Sequence, residues 1–397
     1  MFSNRTDWKL QLNRLTTTLQ EMHQKREEVL DFTQSNPTLC NFRYLSKELL
    51  APLTDSVNLS YDPSPKGMLK AREAVREYYS KREIQIHPEQ IFLTSSTSEA
   101  YSFLFRLLCD PEDHLLVPRP SYPLFDYLAG LNDVILDSYR LVYQHQKWKI
   151  DRESLEAKIQ PNARGIILVH PNNPTGSFIK KGELAVVNRL AEKHQLALIC
   201  DEVFSDYSFC EGGISETRVK SLAGNEKVLT FTLGGISKAI GLPQMKLAWI
   251  VVSGATHLRQ TAIARLEVIA DTYLSVNTPS QNALAKWLGL TPQIQKEIMD
   301  RVLANRRFLL EQCRDFQTVE YLEGEGGWYA VLRIRGMTKF ALANFEEKWV
   351  LSLLRQERVL VHPGYFFDFE EEGMIVLSLI TPHEVFQKGV TRLIAKQ

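Results

Sequence analysis

Cysteine is scarce and unpatterned in this chain. Cys40, Cys109, Cys200, Cys210 and Cys313 are the five present in 397 residues, and no pair has CxxC spacing. That excludes a disulfide framework or a zinc site of ordinary ligand spacing, and reduced thiols in a reducing, cytoplasmic compartment are expected. Net charge is missing too, because 47 Lys and Arg balance 47 Asp and Glu. Without a basic run there is no electrostatic footprint for a nucleic-acid partner. No window approaches the ~18 consecutive apolar residues of a membrane span. The opening MFSNRTDWKL has no uninterrupted apolar stretch, so no secretory leader is expected. Internal repeats, low-complexity tracts and Pro/Gly-rich linkers are also lacking, which leaves any domain boundary soft.

What is present suits a large buried core, since 44% of the residues are hydrophobic and the length allows one large unit or two coupled domains. Residues 5–30 read as an amphipathic helix that ends before the turn SNPT (35–38). Apolar runs then alternate with helical stretches. IFLT (91–94), HLLVP (114–118), GIILVH (165–170), ALIC (197–200), KVLTFTL (227–233) and KLAWIVV (246–252) read as strands, with helices over 98–108 and 182–194. Continuous apolar runs separated by helices predict strands buried on both faces, hence an α/β fold with a mostly parallel sheet. A long helical stretch from about Pro279 leads to further strands at 326–334, 358–364 and 374–380. They predict a smaller α/β domain.

In an open α/β sheet, ligands bind beyond the carboxyl ends of the strands, and four polar motifs follow predicted strands here. TSSTSEA (94–100) runs from strand into helix, so its hydroxyls and free N–H groups could cup an anion; they could equally be plain helix caps. HPNNPTG (170–176) is at least a turn, and functional if the Asn173 amide faces a ligand. In DEVF (201–204), the Asp201 carboxylate would be costly to bury without a cationic partner; it is either a cap or the partner of a bound heterocyclic nitrogen. TLGGISKAIGLPQMK (232–246) crowds small residues around Lys238. A partly buried lysine of lowered pKa is a nucleophile able to form imines, whereas a solvated loop lysine is the commoner fate.

In order and spacing these motifs, with YDPSPKG (61–67), PRPSYPLF (118–125), GGWY (326–329) and HPG (362–364), resemble the class I/II aminotransferases, fold type I of the pyridoxal 5′-phosphate (PLP) enzymes. The resemblance runs from SNPT to LSLITP, nearly the whole chain. It implies a large PLP-binding domain over 46–280 with a mostly parallel sheet flanked by helices. A small domain would be built from 1–45 and 281–397. It implies that Lys238 carries PLP as a Schiff base and shuttles the proton, and that Asp201 pairs with the pyridinium nitrogen, keeping the ring an electron sink. Asn173 would hydrogen-bond the ring O3′ and Tyr122 would stack on the ring. Ser95, Ser96, Thr97 and Ser237 would bind phosphate, and Tyr61 would reach the neighbouring subunit's phosphate in a homodimer with shared active sites.

Four positions depart from the family pattern. Phe204 stands where a tyrosine usually donates to O3′, Lys246 replaces a phosphate-binding arginine, and Gly235 replaces a frequent phosphate-binding serine. Val376 stands where an arginine commonly holds the substrate α-carboxylate; Arg43 and Arg358 are candidate substitutes, unless the substrate carries no carboxylate there. Lys is a point charge where Arg is a bidentate fork, so weaker phosphate retention is expected. The function expected is a ping-pong aminotransferase acting between an amino acid or amine and a carbonyl acceptor. The alternatives are another fold type I enzyme, such as a β-lyase or decarboxylase, and a non-catalytic PLP-binding protein.

Overall fold

Three sheets organise the described residues, two built largely from the apolar runs above and the third a two-stranded ribbon. The computed structural model describes residues 1–8, 10–210, 217–315, 318–335 and 345–396. Eight strands form the larger sheet: β1 (Ile91–Thr94), β2 (His114–Arg119), β3 (Ile135–Gln144), β4 (Lys147–Ile150), β5 (Ala163–Val169), β6 (Ala197–Asp201), β7 (Thr230–Gly235) and β8 (Ala248–Ser253). Their spatial order is β1-β8-β7-β6-β5-β2-β3-β4. The run from β7 to β3 is parallel. β8 lies antiparallel to both of its neighbours, and β4 folds back on β3. Strand order reverses between β5 and β2, so the loops after these strands diverge and open a crevice.

Alternation along the parallel strands sends side chains into two cores. Ile167, Ile199, Phe231 and Leu233 join one cluster with Tyr101, Phe103, Phe105 and Leu266, which come from helices Thr97–Leu108 and Thr256–Tyr273. Ile166, Leu168, Leu198 and Cys200 join another with Val187 and Leu190 of helix Lys181–His194. That second core also takes in Leu322, Val331 and Val376.

The smaller, antiparallel sheet comprises β9 (Val319–Leu322), β10 (Tyr329–Ile334), β11 (His362–Pro363) and β12 (Met374–Ser378), in the order β9-β10-β12-β11. The N-terminal segment is strapped onto it. Leu30–Asp31 pairs in parallel with Val359–Leu360. Ser378 N–H donates to Phe32 O at 2.7 Å, and Ser378 Oγ donates to Gln34 O at 2.6 Å.

Several elements differ from the sequence expectation. The helix expected over 5–30 is confined to Arg14–Gln24, because Asn13 caps it by accepting Thr16 N–H at 2.8 Å. Leu10 and Leu12 before that cap are exposed. The strand expected over 227–233 starts at Thr230, and the one over 326–334 starts at Tyr329. The hairpin β3–β4 was not expected, since its charged, half-exposed edge sequence hides the alternation. Helix Thr256–Tyr273 was also missed, because only Ala262, Leu266 and Ala270 form its buried stripe.

Candidate active site

The β6 strand ends on Asp201, which is buried. Its Oδ1 accepts Val203 N–H at 3.0 Å, and its Oδ2 accepts the Tyr101 hydroxyl at 3.3 Å. Burial nevertheless dominates and pushes the carboxyl up to about 6. A buried carboxylate with two neutral donors and no paired cation is held ready for a positively charged group.

One strand over, the loop after β5 is fixed by His170. Its backbone N–H donates to Asp201 O at 2.8 Å, and its Nδ1 accepts Ile179 N–H at 2.9 Å. Nε2 then donates to Val219 O at 3.1 Å. Burial drives this imidazole down to about 3, so it is a neutral brace. Asn172 Nδ2 donates to Pro120 O at 3.3 Å and joins the loops after β5 and β2 across the strand-order reversal. Asn173 is buried next to it, and its Oδ1 has no hydrogen-bond partner. Buried amides of this kind are normally satisfied, so the amide is suited to a ligand. Gly176 turns this loop at φ +70°, and a Cβ there would meet Gly326 O at 2.4 Å.

Lys238 lies on the short helix Ile236–Ala239 after β7. The segment is pinned by Tyr207 Oη donating to Lys238 O at 2.6 Å, by Gln295 Nε2 donating to Ala239 O at 2.9 Å, and by Tyr44 Oη donating to Gly241 O at 2.7 Å. The glycines before it are demanded by packing. A Cβ on Gly234 would meet Trp249 Nε1 at 2.5 Å, and one on Gly235 would meet Ala248 Cβ at 3.0 Å. A serine at 235 would therefore need Ala248 to give by a few tenths of an ångström. Lys238 Nζ donates loosely to Ser35 O at 3.5 Å, and 4.9 Å and 5.5 Å separate it from the ring centroids of Trp328 and Phe204. Desolvation lowers its pKa to about 8, although Asp201 acts in the opposite direction. The amine is therefore neutral in an appreciable fraction at neutral pH, as a nucleophile requires.

At the TSSTSEA segment, Ser95, Ser96 and Thr97 are half-buried around the start of helix Thr97–Leu108. The Ser96 hydroxyl accepts Glu99 N–H at 3.1 Å, and Ser95 N–H donates to Glu99 Oε2 at 2.7 Å. Ser96 Oγ thus serves as the helix cap, which leaves the Ser95 and Thr97 hydroxyls and the first-turn N–H groups for an anion. Ser237 is half-buried beside Lys238, and Lys246 is exposed at φ +50°. Tyr122 is 38% exposed, and its pKa is raised by burial and by Asp201. Tyr61 is 70% exposed, in a cleft with Leu274 and Ser275. Phe204 is buried edge-on to Trp328, with 5.3 Å between centroids.

The two candidate carboxylate anchors are Arg358, the residue before Val359, and Arg43 in the N-terminal segment. Arg358 is paired with Glu27 at 2.8 Å and belongs to the strap region. Arg43 is an exposed residue whose backbone N–H donates to Glu297. Val376 is wholly enclosed between its cross-strand neighbours Val331 and His362. Sequence reasoning left without roles Tyr101 at Asp201, Ser35 and Trp328 at Lys238, and Tyr329, whose ring meets Phe204 at 6.2 Å. GGWY and SNPT carried the signal for three of them, while Tyr101 looks like any apolar position of its helix.

The unpartnered amide, the buried carboxylate and the amine of lowered pKa follow the adjacent parallel strands β5, β6 and β7, and Tyr101 ties the helix that starts at Thr97 to Asp201. This donor set fits a protonated heteroaromatic ring that bears an aldehyde and a phosphate.

Comparison with known proteins agrees. The family model for aminotransferase class I and II matches residues 27–392. The chain is 25% identical to the glutamate-pyruvate aminotransferase AlaA of Haemophilus influenzae, covering 94% of this chain and 91% of that one. It is 29% identical to the Escherichia coli AlaA, covering 77% and 74%. In fold, it resembles an aminotransferase from Escherichia coli (TM-score 0.86, 24% identity, 100% and 97% coverage). It also resembles the alanine aminotransferase of Pyrococcus furiosus (TM-score 0.87, 21% identity, 100% and 99% coverage). The family match spans nearly the whole chain, and the chain accordingly belongs to the class I and II aminotransferases, as a PLP-dependent enzyme that transfers amino groups.

Proposed function

We propose that this enzyme moves an amino group between an amino acid or amine donor and a keto-acid acceptor by ping-pong turnover, with Lys238 as the working amine. One observation carries the reading: an amine of lowered pKa shares the crevice with a buried carboxylate that acts on its charge and forms no ion pair. The glutamate-pyruvate aminotransferases among the relatives support small α-amino acids such as alanine and glutamate as donors. The enclosed Val376 favours a second class of donor, amines with no carboxylate at that place, because valine offers neither charge nor a hydrogen bond.

PLP, when bound, supplies an electron sink for the pair left at the substrate Cα. Lys238 Nζ would hold the cofactor aldehyde and, once released, carry the proton taken from the substrate Cα to the cofactor carbon that had borne the aldehyde. The Asp201 carboxylate would keep the ring nitrogen protonated, and the Asn173 amide would orient the ring oxygen. Tyr122 would cover one ring face and Phe204 would line the site without donating. Ser95, Thr97, Ser237 and Lys246 would hold the phosphate, with the Ser96 backbone beside them.

The same proposal includes a large domain over 46–280, a small domain formed by 1–45 and 281–397, and a cytoplasmic homodimer. Exposed Tyr61 and Leu274, which line one cleft, support the dimer, since adjacent apolar side chains of this size are seldom left in water. Among the described residues no helix is long and apolar enough to cross a membrane.

The test is direct. Protein reconstituted with PLP is trapped with borohydride, digested and mapped, and the adduct is expected on Lys238. Donors with and without an α-carboxylate are then added singly. Loss of the visible band with donor alone, and its return with a keto acid, is the expected behaviour. A colourless protein with no adduct at residue 238 overturns the reading.

A further inference from the structure

Among the described residues, no carboxylate lies within ion-pair distance of Lys238 Nζ. Asp201 acts on its charge from a distance. The groups actually around Nζ are the Ser35 carbonyl at 3.5 Å and two aromatic rings, Trp328 at 4.9 Å and Phe204 at 5.5 Å. Both centroids lie within the ~6 Å at which a ring quadrupole attracts an ammonium. We propose that Trp328 and Phe204 form an aromatic cradle that holds the free Lys238 amine as an ammonium, making Trp328 a positioning residue for the proton-carrying lysine.

The cradle is braced. Phe204 and Trp328 meet edge-on at 5.3 Å and 72°. Tyr207 meets Trp328 at 5.0 Å and 71°, and its hydroxyl donates to the Lys238 carbonyl. Backbone and ring are thereby fixed relative to each other. Trp328 is completely buried, yet its Nε1 has no hydrogen-bond partner. An indole kept for its N–H would use it; here the broad π-face is the part that meets a charge. The other titratable groups that face Nζ are Asp201 from β6 and Cys40 from the N-terminal segment. Burial raises the Cys40 thiol to about 11, so it stays neutral. The aromatic faces therefore offset part of the desolvation that would otherwise strip the proton from Lys238. This inference rests on the reading of Lys238 as the working amine.

The test keeps the shape of residue 328 and changes only its electrostatics. 5-Fluoro-, 5,7-difluoro- and trifluorotryptophan are placed at position 328 by site-specific incorporation in the full-length chain. After removal of cofactor, trace acetic anhydride labelling of each lysine is followed against pH by mass spectrometry. Each added fluorine should lower the apparent pKa of Lys238, giving ~2- to 4-fold more labelling near pH 7.5 across the series. Exposed Lys47 serves as an unchanged reference. A flat series overturns the cradle. A parallel arm labels PLP-loaded wild-type protein, in which Lys238 should be protected. Lack of protection there would sink the reading of Lys238 as the cofactor lysine, whatever the fluorine series shows.

Discussion

Glu202 directly follows Asp201 and is buried on the far side of the strand end, so a Glu202→Gln substitution tests how burial governs this region. Its Oε1 accepts Leu222 N–H at 2.6 Å and its Oε2 accepts the Ser221 hydroxyl at 2.6 Å. Burial outweighs both bonds and raises the carboxyl from 4.5 to about 7. Between those values the folded state binds a proton that the unfolded chain has released, so stability must fall as pH rises. The contribution is complete below about 4.5 and gone above about 7. At ~1.4 kcal/mol per pH unit, the gap corresponds to roughly 3 kcal/mol. Glutamine keeps an acceptor for Leu222 and cannot ionise. Urea denaturation midpoints of cofactor-free protein at pH 5 and pH 8 should therefore diverge. The variant should gain ~2–3 kcal/mol on wild type between the two conditions. Asp201 titrates identically in both proteins and cancels. An unchanged difference between wild type and variant at the two pH values would refute the reasoning.

The remaining expectations concern the cofactor. Phe204→Tyr introduces a donor beside the ring site, and the pH midpoint of the visible band should fall by about one unit; an unmoved midpoint counts against any role for this position. Lys246→Arg should slow loss of PLP on dialysis, because a guanidinium binds phosphate through two parallel bonds; equal loss rates would remove Lys246 from the phosphate site. Asp201→Asn should cut turnover by ~10²–10³-fold while leaving the far-UV circular dichroism unchanged. Near-normal turnover in that variant would show that the ring nitrogen is not served by Asp201.

Sequence legibility followed the physics of each element. Runs such as GIILV and ALIC are buried on both faces, so the central strands announced themselves. The β3–β4 hairpin did not, because Asp137, Arg140, Lys147 and Lys149 break its apolar alternation at the sheet edge. Around the crevice, Lys238, Asp201 and Asn173 stood out because polar groups directly after apolar strands need a reason to be there. Tyr101 could not be found in this way: it faces Asp201 only because helix and sheet pack at a given rotation. Ser96 showed the opposite problem, since a hydroxyl at a helix start reads alike whether it serves a ligand or the helix itself.

The strap formed by residues 30–36 has a practical consequence for engineering. Ser35 reaches Lys238 only because Leu30–Asp31 is laced to Val359–Leu360 and the next residues are tied to Ser378. Tags or deletions ahead of Asn13 touch none of these ties. Any cut between Leu30 and Ser35 would unfasten the amine's neighbour together with the two-stranded ribbon and the tie to Ser378, damaging assembly and chemistry in one stroke.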